Sequence, residues 1–519
     1  MSSLRRLSRC KVGWGLSLGV AAFAAMSFVV ASRSMAGEVA DPSATSPNLV
    51  DEMTLSRVIR LAVDRSPSVA AARAQWRAGI ERRPQVTALP DPMGMYSLYV
   101  RSVETRVGPQ RHKLRLTQSF PYPGTLDAAG RIVDAAADIA RANYEKVIRD
   151  LIVDTKVSYT ELGYLRRAAA LTEQNHELLA HIATVAATKY AVGEATLADV
   201  QKAQSQLAQL EYDRILLLEL AEVERANLRS LLTVAPDTDL GEPVIAPHAP
   251  LTLTPDELDT AALGSRLELR IARLMVEKAE RGEALAALKT MPMFKLDLMT
   301  IETGGSPMPG ADDSGKNPWT VGVGVSIPWN SDKNDSAIRE AEFARDAAAN
   351  RVRAIEAKTS SDIRKVYFRA ENARRLVELY EETLIPQAEQ AMAEAEAWTE
   401  SSPKSVAAFL ETQSVWLNFN LARLRALADH RQNVARLERI AGVSRDEDWV
   451  KSDYVDSVDY DDGNDEDEAG TAASLGRKKT RHMHGLMKEM DALLGAEGAD
   501  DMDAEAASVV SVFGSVWAT

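Results

Sequence analysis

Between Trp319 and Ile327 the chain alternates strictly. Trp319, Val321, Val323, Val325 and Ile327 fall on one side, and Thr320, Gly322, Gly324 and Ser326 on the other. Period two with one apolar and one small polar side predicts a strand with two unlike faces. Three other stretches share the pattern. In Met93–Val103, Tyr96, Leu98 and Val100 oppose Ser97, Tyr99 and Arg101. In His112–Phe120, Leu114 and Leu116 oppose Lys113, Arg115 and Thr117. Around Phe294, Leu296 and Leu298 the opposing residues are Lys295 and Asp297. In a soluble sandwich the apolar faces would meet each other; in a membrane-spanning barrel they would face lipid, leaving the polar faces to line water. The alternation alone leaves both open. Strands of about ten residues with Trp319 at an edge suit a tilted span with an aromatic girdle.

Elsewhere the period is helical. Thr54 precedes Leu55, Val58, Ile59, Ala62 and Val63 on one face, and Ser66-Pro67 restarts a helix expected to run to Arg83, before Pro84. Asp127–Ala187 contains no proline and repeats Ala, Leu, Val and Tyr at spacings of three and four; about 55 helical residues extend roughly 80 Å. A second helix, Thr196–Leu232, returns, and Ser336–Leu384 and Val406–Ile440 repeat the arrangement. Stripes this long cannot be buried in one small globule and must pair as coiled coils.

The segments occur twice in the same order. Arg65-Ser66-Pro67-Ser68-Val69-Ala70 opens one copy and Ser265-Arg266-Leu267-Glu268-Leu269-Arg270 the other. Their second strands end at Phe120-Pro121-Tyr122 and Ile327-Pro328-Trp329. Duplication constrains the fold. The chain is mainly α with a small β portion, and four strands are too few to close a barrel. The divisions are a signal peptide (1–36), a linker (37–53), the first repeat (54–250), the second repeat (251–443) and an acidic tail expected to be mostly disordered (444–519).

The leader has Arg5, Arg6, Arg9 and Lys11, an apolar run from Val12 to Ala31, and the small-x-small site Ser34-Met35-Ala36, the signature of an exported protein cleaved after Ala36. Cys10, the single cysteine, precedes the apolar run and would leave with it, so disulfides and thiolate chemistry are not expected. No later segment has the roughly 18 apolar residues of a spanning helix. The net charge of −14 becomes −19 without the five basic leader residues, and the tail holds 19 acidic against 7 basic residues. No concentrated basic face suggests nucleic-acid binding.

The sharpest local motif is Tyr190-Ala191-Val192-Gly193-Glu194-Ala195-Thr196-Leu197-Ala198-Asp199-Val200. Gly193 suits a helix end with positive φ, Thr196 an N-cap, and Asp199 the first turn of the next helix. On these grounds alone it is a helical hairpin. Together with both helix starts, Phe120-Pro121-Tyr122-Pro123-Gly124, Val325-Ser326-Ile327-Pro328-Trp329 and Leu384-Ile385-Pro386-Gln387-Ala388, it resembles the TolC family of outer-membrane efflux factors over Thr54–Val443. The Pro-aromatic-Pro-Gly sequence is similar to the cation-efflux branch.

The resemblance implies a homotrimer in which each protomer gives four strands to a twelve-stranded barrel in outer-membrane lipid, with the helices forming an α-barrel in the periplasm. It implies a passive conduit for substrate, metal cations among the candidates, joined to an inner-membrane pump by a periplasmic adaptor, with no enzyme chemistry and no cofactor. Gly193, Thr196, Asp199 and Val200 match the adaptor-facing tip. At an offset of 209 the second hairpin supplies Ser402 for the glycine, Ser405 for Thr196 and Ala408 for the aspartate. Glu411 matches a periplasmic aperture position, where three carboxylates in a ring favour cations. A type I secretion conduit and a periplasmic coiled-coil scaffold without a pore are the alternatives. His482, Met483, His484, Met487 and Met490 offer soft ligands but read more simply as a weak helix, so no metal site is assigned.

Overall fold

The computed structural model describes residues 53–244, 253–310, 312–399 and 405–442. The leader, the tail with its Met/His cluster, and Ser402 lie outside these residues. The first repeat comprises α1 (Leu55–Arg65), α2 (Pro67–Ile80), α3 (Arg83–Thr87), β1 (Met93–Val103), β2 (Gln110–Phe120), α4 (Thr125–Ala191) and α5 (Leu197–Leu231). The second comprises α6 (Pro255–Ser265), α7 (Leu267–Lys289), β3 (Met293–Thr303), β4 (Trp319–Ser326), α8 (Ser331–Leu379), α9 (Ile385–Thr399) and α10 (Ser405–Ala441). No described helix is long and apolar enough to cross a membrane.

Each element follows from its sequence. Ser66 accepts from Val69 N to cap α2, whose first residue is Pro67. That helix ends at Ile80, short of the expected Arg83, and Pro84 falls in the first turn of the short α3 instead of ending α2. A missing N–H is harmless in a first turn, so Pro84 continues the helical path after a brief break. Gly124, at φ 83°, turns the chain from β2 into α4. The 67 residues of α4 make a helix about 100 Å long. α8 starts at Ser331, earlier than the periodicity suggested, because Asn330 accepts from Lys333 N as its cap.

The expected stop at Leu384 is not found. A five-residue π-helical turn, Tyr380–Leu384, leads directly into α9. Pro386 has no N–H for the α-helical bond and its ring crowds the preceding turn, and the wider π turn accommodates both while the helix continues.

The strands form one antiparallel sheet in the order β1-β2-β3-β4. β2 and β3 come from different repeats and pair in register from His112–Glu302 to Phe120–Phe294, so the sheet itself joins the two repeats. At its far end the loops clasp: Gly304 N donates to Pro109 O (2.8 Å), Gly315 N to Val107 O (2.9 Å) and Ser306 Oγ to Arg106 O (2.8 Å). Gly108, at φ 128°, brings its backbone so close to Gly304 that a Cβ there would lie 1.6 Å from the Gly304 carbonyl oxygen.

The largest apolar core lies where α1 and α2 cross α4. It contains Val58, Ile59, Trp76, Tyr144, Ile148 and Leu162, and Trp76 stacks on Tyr144 at 5.9 Å beneath the Arg141 guanidinium. Tyr159 Oη donates to the carbonyls of both Met53 and Val244, pinning the two ends of the first repeat together. A second core joins α6, α8 and α10 through Leu258, Ile363 and Leu437. Between the repeats several polar contacts form. Lys156 meets Glu438 at 2.7 Å, Arg425 and Gln432 both bond Glu161, and Gln413 donates to Asn175.

Candidate functional site

Through the middle of β1 and β2 the sheet is more exposed on its apolar side than on its polar side, the reverse of a sheet on a soluble core. In β1 the exposed residues are Tyr96, Leu98 and Val100, the last 96% exposed, while Ser97 and Tyr99 are half-buried. In β2, Leu114 and Leu116 are exposed, whereas Lys113, Arg115 and Thr117 are half-buried. The pairing carries this parity across every strand: Leu114 opposes Tyr96 and Thr300, Leu116 opposes Leu298, and Leu298 opposes Val321. One continuous apolar surface results, with Trp319 near the loop end and Trp329, 93% exposed, beyond the helix-side end. Among the described residues none covers it. An apolar surface of this extent, bounded by indoles, fits contact with lipid.

The polar surface holds Lys113, Arg115 and Thr117 from β2, Lys295 and Asp297 from β3, and Thr320, Gly322, Gly324 and Ser326 from β4. Thr117 Oγ1 donates to Asp297 Oδ1 at 2.5 Å.

At the opposite end of the molecule, Gly193 at φ 79° closes α4. No atom would meet a Cβ there, so the glycine answers to backbone conformation and not to crowding. Thr196 and Asp199 then form a reciprocal capping box. Asp199 N donates to Thr196 Oγ1 (3.2 Å), while Thr196 N donates to Asp199 Oδ2 (3.0 Å). Thr196 is exposed and Asp199 half-buried, and the Asp199 carboxylate already serves the helix start. Val200 turns inward. It packs with Leu179, Ala186 and Ala203 of the first hairpin and with Val406 and Leu410 of α10. The two hairpins therefore share one small core just above the first tip, which sequence reading missed because residues from both repeats build it. Ser405 opens α10. Glu411 is exposed on the next turn and lines a shallow groove with Ala388, Ala391, Ala408, Thr412 and Val415 between α9 and α10.

Two acidic groups higher on α4 lie in stressed settings. Burial pushes the Asp138 carboxyl above the ordinary range, helped by the nearby Glu277, while Arg281 acts in the other direction. Burial likewise raises Asp154 against the opposing charge of Arg439. Among the described residues no group of three or more His, Cys, Asp or Glu side chains is placed to hold a metal ion.

Comparison with known proteins agrees with this geometry. The model of the outer membrane efflux protein family matches residues 58–234 and 259–443, one segment for each repeat. A search of curated protein sequences gives no match. Among solved structures, the outer membrane protein VceC of Vibrio cholerae aligns at TM-score 0.64 and 18% identity, over 75% of this chain and 96% of its own. The CmeC outer membrane channel of Campylobacter jejuni aligns at 0.64 and 14%, over 77% and 88%. The open state of the MtrE outer membrane channel of Neisseria gonorrhoeae aligns at 0.60 and 15%, over 75% and 89%. At these identities the likeness is one of fold.

Proposed function

The chain belongs to the outer membrane efflux protein family, a family of passive outer-membrane channels and not of enzymes, and from that premise we propose how it assembles and what it meets. Three protomers associate, each giving four strands to one twelve-stranded barrel, with the apolar surface in outer-membrane lipid and the polar surface lining water. The paired helices extend into the periplasm as an α-barrel. The lower end meets a periplasmic adaptor, which connects the channel to an inner-membrane pump that supplies the energy.

One observation carries the reading: a four-stranded sheet with an uncovered apolar face and unclosed edges stands on helical hairpins about 100 Å long. Unpaired strand edges are not tolerated in lipid, so the sheet must close with other copies. Bacterial barrels have even strand numbers of about eight or more, which one protomer cannot supply and three can.

At the tip, Gly193, Thr196 and Asp199 fix the turn presented to the adaptor, and Val200 holds that turn against the second hairpin. Ser402 and Ser405 take the corresponding positions in the second tip, which lacks the glycine and the aspartate. Glu411 contributes one carboxylate per protomer at the periplasmic mouth. The test is cross-linking and planar-bilayer recording of the full chain, with export measured in a deletion strain complemented by Asp199→Ala and Glu411→Ala. Trimers and conductance support the reading. A detergent-free soluble monomer without conductance overturns it, and unchanged export across both variants removes the tip and aperture assignments.

A further inference from the structure

The polar surface of the sheet is not evenly charged. Its regular rungs hold three cations, Lys113, Arg115 and Lys295, against a single carboxylate, Asp297. The register sets their places. Lys113 lies between Ser97 and Ile301, Arg115 between Met95 and Met299, and Lys295 between Ser119 and Gly324. No acidic residue lies directly opposite any of the three. Asp297 is the one carboxylate nearby, and it is taken by the Thr117 hydroxyl at 2.5 Å.

The cations are also left without ionic partners. Among the described residues, no ion pair within 4.0 Å involves Lys113, Arg115 or Lys295. The Arg115 guanidinium reaches only the Met299 sulfur, at 3.9 Å, and its Nε has no hydrogen-bond partner. Beside Lys295, β4 offers Thr320, Gly322, Gly324 and Ser326, so nothing longer than a threonine stands over the neighbouring strand. Unneutralised charge beside small residues projects its field into whatever the surface encloses. In the loops beyond the strands the charges nearly balance: Glu104, Asp312 and Asp313 stand against Arg106 and Lys316.

We infer that this surface is an anion-favouring belt, so that the assembled channel passes anions in preference to cations and takes negatively charged cargo. The inference rests on the barrel reading above. Three protomers bring nine cations and three carboxylates onto one lumen wall. In a barrel between the filled eight-stranded and the wide sixteen-stranded sizes, most of the lumen lies within about 8–10 Å of the wall, one Debye length at physiological salt. Rings of basic side chains select anions as acidic rings select cations. Glu411 lies at the far end of helices about 100 Å long and is screened from the belt, so the two act as separate filters. A bare metal cation, the cargo suggested by the Pro-aromatic-Pro-Gly resemblance, meets a repulsive field at the exit.

The experiment is reversal-potential measurement on the full-length channel in planar bilayers under a KCl gradient. The expected result is a chloride-to-potassium permeability ratio above one, falling towards one or below in Lys113→Gln/Arg115→Gln/Lys295→Gln. Should the triple variant not assemble, Lys295→Cys provides the second arm, because charge is then added to the formed channel. A thiol reagent carrying an ammonium restores chloride preference, and one carrying a sulfonate shifts the reversal potential further towards potassium. A wild-type ratio at or below one, or a reversal potential unmoved by both arms while conductance persists, overturns the inference and leaves the channel intact. Absence of any wild-type conductance overturns the channel reading itself.

Discussion

Lys156 Nζ lies 2.7 Å from Glu438 Oε2, joining the middle of α4 in the first repeat to the last turns of α10 in the second. The lysine side chain is 9% exposed and the glutamate 23%, so the pair is largely out of water. With Arg425–Glu161 and Gln432–Glu161 it forms a polar seam along which the duplicated halves meet.

Removing one partner at this seam should be asymmetric. Glu438→Leu leaves a buried ammonium without this carboxylate and should cost about 2–3 kcal/mol, the usual buried-pair penalty discounted for the water reaching Glu438. Lys156→Met leaves the more exposed charge and should cost less. The double variant Lys156→Met/Glu438→Leu should return close to wild-type stability. Thermal unfolding of the detergent-purified protein checks all three, and equal losses in the two single variants would contradict the assignment.

The capping box at the first tip gives a local prediction. Thr196→Ala removes the acceptor for Asp199 N and should destabilise the start of α5 by about 1 kcal/mol, while Thr196→Ser should be nearly silent. Limited trypsinolysis reads the effect, through faster cleavage at the flanking Lys189 and Lys202.

Gly193 and Gly108 both have positive φ, yet their substitutions should differ. Gly193→Ala meets open space and should cost only the backbone penalty of about 1–2 kcal/mol. Gly108→Ala places a methyl into the Gly304 carbonyl and must break the loop clasp. Proteolysis from outside intact cells should therefore cut the loops of Gly108→Ala and spare those of Gly193→Ala.

Asp138 sets a pH dependence. Its carboxyl is raised in the folded chain above the ordinary value of 3.8, chiefly by burial. The native state then holds a proton that the unfolded chain has lost, so Asp138 lowers stability as pH rises from the ordinary value through the raised one. Asp138→Asn should stabilise the protein at neutral pH, and the gap should close as pH falls below the ordinary aspartate range. Melting temperatures from pH 3 to 8 test the sign.

The two faces of β1 should respond oppositely to the same residue. Leu98→Arg puts a cation on the lipid surface and should cost about 2–4 kcal/mol if it lies near the bilayer midplane, lowering the yield of folded protein in outer-membrane fractions. Ser97→Arg, one position earlier on the polar surface, should assemble normally.

The sequence by itself determined most features that depend on local period or local caps, the Asn330 cap of α8 and the end of α2 at Ile80 excepted. The alternation at Trp319–Ile327 defined the two faces of β4, the proline-free run from Asp127 to Ala187 gave a very long helix, and Thr196 with Asp199 marked a helix start. Periodicity and capping involve residues a few positions apart, so they are legible along the chain. Of the candidate site, the turn at Gly193 was legible for the same reason, and the basic parity of Lys113 and Arg115 was visible without its meaning. Only the tertiary structure decided which faces meet. It turned Val200 inward against Val406 and Leu410, carried the helix past Pro386 through a π turn, and paired Lys156 with a glutamate 282 positions away. It also placed Gly324, and no carboxylate, beside Lys295. Such pairings arise from register between segments far apart in the chain, and no local period encodes them.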